Sequence, residues 1–400
     1  MKSTSQVKKA VMIGGMCSAS YLAVYIARNI LGSVSPQMIA SGGFTTENIG
    51  TLSSIYFISY ALGQLVNGRI GDKIHAKYMI SLGLALAGVC NLLLPILSGA
   101  IAAVYVTYAL TGFFLSMIYG PMTKLVAENT EPIYATRCSL GYTFASFFGS
   151  PLAGILAALL SWQGVFFTGS GILIFMGMVC FAVFSIFEKK GIVQYGLFKT
   201  PQEKGGGIRL LLKHKIVKFT LISIITGVIR TTVVFWMPTY FSQYLGFSPE
   251  NAALLFTVAT FIISMTAFVA ILLYECLGRD MERTVLVCFV MAAVCFLLVF
   301  TLKHPLFNVG FLVLGIMASN SAATMLWSRY CPSLRDTGMV SGATGFLDFM
   351  SYMAASASSQ LFANAVSVIG WGKLILVWFG LMIFGIIIAL PYGNFRKKLA

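Results

Sequence analysis

The amino-acid sequence predicts an all-α integral membrane fold of about twelve transmembrane helices, arranged as two pseudo-symmetric six-helix bundles. Three observations carry the prediction: an extreme apolar composition, a train of apolar runs of bilayer length, and an internal repeat. Of the 400 residues, 58% are hydrophobic and only 10% charged, with a mean hydropathy of +0.88, a balance foreign to soluble domains of this size. Apolar runs near 10–34, 49–70, 78–98, 101–123, 136–160 and 164–187 are followed by six more near 218–243, 251–274, 283–302, 305–327, 337–361 and 370–391. Each approaches the roughly 20 residues that a helix needs to cross the hydrocarbon core. None shows the polar alternation of lipid-facing barrel strands.

Taken in order, the first run begins like a signal peptide but continues past Arg28 and is too long for one, so it reads as an uncleaved first span. It ends near Pro36 in the loop GGFTTEN, 42–48. The second span runs into GRIGDKIHAK, 68–77, and EPIYATRCSLG at 131–141 opens the fifth. Residues 188–217, rich in Lys and Gly, form the longest polar stretch and read as a linker between an N-terminal bundle, 1–187, and a C-terminal bundle, 218–400.

The second half then repeats the first. LGFSPEN at 245–251 matches GGFTTEN, Pro238 matches Pro36, and Arg230 matches Arg28, each arginine preceding its proline by eight residues. The turn Gly278-Arg279-Asp280 loosely answers Gly71-Asp72-Lys73, and Pro332 answers Pro132. Two halves built on one plan point to a carrier that holds its substrate near the midplane, between repeats that rock against each other.

The net charge of +15 finds its explanation in topology. With a cytoplasmic N-terminus, only Lys303 and Lys373 fall outside and Arg28 and Arg230 lie within spans, leaving 23 of the 27 Lys and Arg residues inside. The positive-inside rule therefore predicts a multi-pass protein of the cytoplasmic (inner) membrane with both termini cytoplasmic, and no nucleic-acid partner. None of the eight cysteines falls in a predicted outer loop and no metal-ligand spacing occurs, so disulfides, a metal and cofactors are not expected.

The chemistry rests on the intramembrane charges. An arginine at a helix centre costs about 2.5–3.5 kcal/mol on insertion scales and normally faces a wet cavity with a partner. Among the acidic residues only Asp348 lies deep in a predicted span. Two guanidinium groups against one carboxylate leave an excess positive charge suited to a small oxyanion, which arginine binds in a bidentate fork. The bland reading, snorkelling or bonding to helix carbonyls, explains one arginine better than a matched pair. Tyr56, Tyr60, Tyr142, Trp236 and Tyr352 are candidates to line a cavity, although packing explains each singly; Tyr60 and Trp236 stand out by their nearness to the signals above. His75, His214 and His304 fall in loops or linker and read as solvated residues. No nucleophile, base and orienting group are grouped in the membrane, so an enzyme is not expected.

The loop after the second span, with Gly68, Asp72, Lys73 and Lys77, resembles the signature of the major facilitator superfamily, except that His75 replaces a glycine in its basic tail. Within that superfamily the chain resembles the organophosphate:phosphate antiporters. The likeness lies in YIARN at 25–29, GRIGDKIHAKYMISLG at 68–83, GVIRTTVVFWMPTYFSQ at 227–243 and GATGFLDFMSYMAASASSQLF at 342–362. It implies that Arg28 and Arg230 clamp phosphate. The well-known members carry a histidine where this chain has Ser146 and a lysine where it has Gln64, so this site is less basic than theirs.

The substrate-binding set expected from these signals is Arg28, Arg230, Tyr60, Trp236, Ser146 and Gln64, with Asp348 as counterion or coupling residue and the Gly68–Lys77 loop as a conformational element. The expected function is secondary transport of a small organic anion by a monomer working by alternating access, through exchange with phosphate or through proton coupling. A membrane sensor of a phosphorylated sugar, a sugar-acid or carboxylate symporter, and a lysolipid carrier are the alternatives.

Overall fold

A computed structural model describes residues 2–71, 74–195, 212, 214–302, 304–334 and 340–390. Within a hydrocarbon core every backbone N–H and C=O must be satisfied inside its own segment, and the apolar runs accordingly form helices. These are α1 (Lys2–Ala40), α2 (Thr46–Gly71), α3 (Ala76–Ile96), α4 (Ile101–Asn129), α5 (Pro132–Phe147), α6 (Gly149–Leu159) and α7 (Trp162–Lys189). There follow α8 (Ile216–Gly227), a π-helical turn (Val228–Val233), α9 (Val234–Gln243), α10 (Pro249–Ser264), α11 (Thr266–Cys276) and α12 (Met281–Thr301). Last come α13 (Pro305–Met325), extended by a second π turn (Leu326–Tyr330), and α14 (Val340–Ala389).

Ten helical stretches among the described residues are long and apolar enough to cross a membrane. Two departures reconcile them with the twelve spans read from the sequence. The fifth span is broken at Phe148 into α5 and α6, both too short to count alone. The 50 residues of α14 hold two spans joined without a loop at Gly370, whose φ of 75° and ψ of 169° reverse the chain.

By backbone proximity the chain groups into two units. The first comprises Met1–Pro201 with Met237–Phe261, the second Gln202–Trp236 with Ile262–Ala400. The linker expected at 188–217 lies largely outside the described residues.

In the first unit α3 packs against α4 and α7, α2 against α4, and α1 against α5, α6 and α7. Small residues set these distances: a Cβ on Gly83 would lie 2.9 Å from the Phe114 carbonyl oxygen, and one on Gly177 the same distance from that of Ser81. The same unit takes in the far part of the seventh span. Ser35 and Thr239, each beside one of the matched prolines, share a buried hydroxyl hydrogen bond of 2.7 Å, and the Thr257 hydroxyl donates to the Pro151 carbonyl at 3.4 Å.

In the second unit α12 packs against α13 and α14, and α8 against the first part of α14. Large apolar side chains such as Phe175, Leu272 and Leu306 remain on the outside, where a membrane protein meets lipid.

Candidate functional site

Arg28 sits in the interior of α1, and its guanidinium lies over three rings. Tyr25, one turn earlier on the same helix, is 5.3 Å from it by ring centroid; Phe57 and Tyr60, one turn apart on α2, are at 5.6 and 5.5 Å. Ring faces attract a cation through their quadrupole. They add to the stabilisation of a cation held in an apolar span.

The cage is built outward by further tyrosines. Tyr56 stacks between Tyr60 at 6.2 Å and Tyr108 at 5.0 Å. Tyr21 meets Tyr25 at 4.9 Å, Tyr119 at 5.5 Å and Tyr142 at 5.8 Å. Two glycines place these rings. Gly112 of α4 lies so close to α2 that a Cβ there would stand 2.6 Å from the Tyr56 carbonyl oxygen, and Gly149, opening α6, abuts the backbone of Tyr25.

Arg230 falls in the π turn that interrupts the seventh span, and is half-buried. Such turns are rare and recur at functional sites, because the widened turn redirects a side chain. Hydroxyls fix it against α14: Thr232 donates to the Ala355 carbonyl at 3.1 Å and lies 2.8 Å from the Ser358 hydroxyl. Further down the same seam Ser223 donates to the Leu347 carbonyl at 2.9 Å, and Gly227 abuts Ser351. The two helices thus run in parallel register, offset by 124 residues. Asp348, half-buried on α14, lies six residues below the level of Arg230, about 9 Å along the axis.

The remaining expected residues fall as follows. Trp236 is buried, its ring 5.4 Å from that of Phe235 and 6.4 Å from that of Trp371; its indole N–H has no hydrogen-bond partner among the described residues. Gln64 is half-buried on α2, one turn beyond Tyr60, and Ser146 lies on α5, its side chain outside the description. Gly68 belongs to α2; Asp72 and Lys73 lie outside the described residues. Lys77, in the first turn of α3, makes an ion pair with Glu188 at the end of α7. It ties two helices of its own unit. Nearby, the Asn129 side chain grips the Gln194 backbone from both sides, donating to its carbonyl at 2.9 Å and accepting from its N–H at 2.7 Å, while His75 stacks on Tyr195 at 4.4 Å.

Phe57 is a ring on Arg28 that the sequence does not single out, and Tyr25 stands out there only within YIARN. The signal was present, since residues three apart on a helix are neighbours: Tyr25 precedes Arg28 by three, and Phe57 precedes Tyr60 by three.

Residues 17–359 match the model of the Major Facilitator Superfamily. The chain belongs to that superfamily. As a facilitator it is a multi-pass membrane protein of a transporter superfamily, not an enzyme. This facilitator is 23% identical over 398 residues to the membrane sensor protein UhpC of Salmonella typhimurium, covering 88% of this chain and 84% of the relative. To the glycerol-3-phosphate transporter of Bacillus subtilis it is 21% identical over 255 residues, 58% of this chain and 57% of the relative. Among solved structures, a D-xylose–proton symporter superposes with a TM-score of 0.72 at 13% identity, covering 95% of this chain and 97% of the other. That likeness carries the fold alone.

Proposed function

We propose that this facilitator carries a small organic anion, an organophosphate or similar oxyanion, across the membrane by alternating access, with Arg28 and Arg230 as its anion-binding cations. The observation that carries the reading is the Arg28 guanidinium in the interior of a span, among three rings 5.3–5.6 Å away. A charge kept there at the cost of desolvation has a use, and the repeat supplies the same residue at position 230. The likeness to the glycerol-3-phosphate transporter supports a phosphate ester as the anion.

The rings around Arg28 would hold the organic part, with Tyr60 foremost, and Gln64, Ser146 and Trp236 would complete the set. The two halves, 1–187 and 218–400, would move about the 188–217 linker, with both termini cytoplasmic and the monomer as the working unit. Two couplings are open to the arrangement. In exchange, only the carrier with its cations neutralised by an anion changes conformation, so phosphate leaves as the ester enters. In proton coupling, Asp348 competes for Arg230 until it is protonated. A ligand shifts either equilibrium only by its differential affinity for the two states.

The test is counterflow of labelled phosphate and phosphate esters in proteoliposomes. Arg28→Lys or Arg230→Lys keeps the charge and loses the fork; losing a charge-assisted hydrogen bond, worth about 1.5–3 kcal/mol, should weaken half-saturation by about 10- to 100-fold. Uptake by either variant within twofold of the parent would rule out the clamp. A second reading, a membrane sensor, is favoured by the 88% coverage against a protein of that name. Ligand-induced stabilisation without any counterflow would select it.

A further inference from the structure

In the second unit α13 returns alongside α8. Near the start of α8 the Phe219 ring stacks on that of Tyr330 at 3.6 Å, and the Tyr330 hydroxyl donates to the His214 carbonyl at 3.0 Å. The body of α13 packs against α8 and against the π turn that bears Arg230. The two helices therefore run antiparallel, with Phe219 and Tyr330 giving their register. Arg230 lies eleven residues after Phe219, about 16 Å along the axis, and eleven residues before Tyr330 is Ser319. Each path crosses part of a π turn, so Arg230 is level with Ser319 and Asn320 to within about one turn.

Of these two, Ser319 belongs to a packed face. It follows Gly315 by one turn, and a Cβ on Gly315 would stand 3.2 Å from that of Cys295 on α12. Asn320 lies about 140° around the axis from Gly315 and so leaves the α12 face. It is 9% exposed, and its amide oxygen has no hydrogen-bond partner. Arg230, half-buried, makes no hydrogen bond or ion pair among the described residues. Leaving buried polar groups unbonded is costly, and here a cation and an acceptor stay open at one level of one unit. The internal repeat presents that level a second time. The register of Pro132 and Pro332 sets Gly120 of α4 against Asn320. Its neighbour Tyr119 lies 5.5 Å from Tyr21 and 6.2 Å from Tyr142, rings of the Arg28 surroundings, and a Cβ on Gly120 would meet nothing within 4 Å. In the first unit this point of the fourth span borders the arginine's cage; in the second it carries an amide.

We propose that Asn320 is a specificity-determining residue, hydrogen-bonded to a hydroxyl of the organic part while Arg230 takes the anionic oxygens. The inference rests on the anion-carrier reading and adds a residue that selects among anions. An amide offers an acceptor and, turned about its last torsion, two donors, which suits a hydroxyl that both donates and accepts. An alkyl chain in the same place would leave the amide buried and unbonded. Asn320 therefore favours a hydroxylated ester over an alkyl ester of the same size.

Counterflow by the full-length protein in proteoliposomes, with ligand-induced thermal stabilisation read in parallel, tests it on two matched pairs. Glycerol 3-phosphate is set against propyl phosphate, and glucose 6-phosphate against cyclohexylmethyl phosphate. The parent should favour the hydroxylated member of at least one pair by about tenfold or more. Asn320→Leu should cut that preference by about tenfold, weakening the hydroxylated ester while the alkyl ester stays within about twofold, and Asn320→Gln should restore part of it. Arg230→Gln should weaken both members of a pair alike. Asn320→Leu should melt no lower than the parent, because it removes an unbonded buried group; Asn320→Ala reads the same contact should leucine not be accommodated. No preference in the parent, or a preference in folded Asn320→Leu or Asn320→Ala within about twofold of the parental one, would overturn the proposal and leave the carrier reading standing. If none of the four esters is bound or carried, the carrier reading falls and this inference with it.

Discussion

Gly149→Ala probes how the Arg28 cage is held in place. A Cβ at this position would lie 2.7 Å from the carbonyl carbon of Tyr25 and 2.9 Å from its oxygen. Ordinary contact begins near 3.4 Å and the Tyr25 Cβ lies closer still, so α6 and α1 would have to separate by about 1 Å. Both atoms belong to backbone, and no rotamer change relieves them. Overpacking of this kind costs about 1–3 kcal/mol, and here the displacement falls one turn from the guanidinium.

Reversible unfolding in mixed micelles, followed by circular dichroism, should show that loss, and uptake should weaken in parallel. The control is Gly15→Ala, where the new methyl meets nothing within 4 Å; helix propensity favours it by about 1 kcal/mol, so it should be at least as stable as the parent. Parental stability and uptake in Gly149→Ala would refute the argument that this contact positions Tyr25.

Two other outcomes are expected. Ser35→Cys with Thr239→Cys replaces hydroxyls 2.7 Å apart by thiols within disulfide reach; oxidation should stop transport and reductant restore it, and continued transport by the cross-linked protein would show that these helix ends need not part. Asp348→Asn should flatten the pH dependence of uptake if the carboxylate competes with substrate for Arg230. An unchanged pH profile would remove proton coupling through this residue.

Much of this architecture can be read from residues, because bilayer length and apolar continuity are local properties. The breaks are not local. Phe148 and Gly149 lie within a continuous apolar run, and the interruption between them is fixed by the approach of α6 to Tyr25. The π turn at Arg230 is equally silent in sequence, since its extra residue is sustained by hydroxyl bonds to a helix more than 120 residues away. At the candidate site the repeat singles out the arginines, but their surroundings differ: rings about Arg28, hydroxyls along the seam that bears Arg230. Periodicity places side chains on a face of a helix; which neighbouring helix meets that face is decided by packing.

Gly370 shows how exposure can mislead in reading variants. It is only half-buried and a Cβ there would enter open space, so a criterion based on crowding would score any replacement as harmless. Its backbone nevertheless occupies a region that is essentially confined to glycine, where any other residue costs about 1–3 kcal/mol. Because the last two spans meet there without a connecting segment, epitope tags and fusion partners belong elsewhere on the chain.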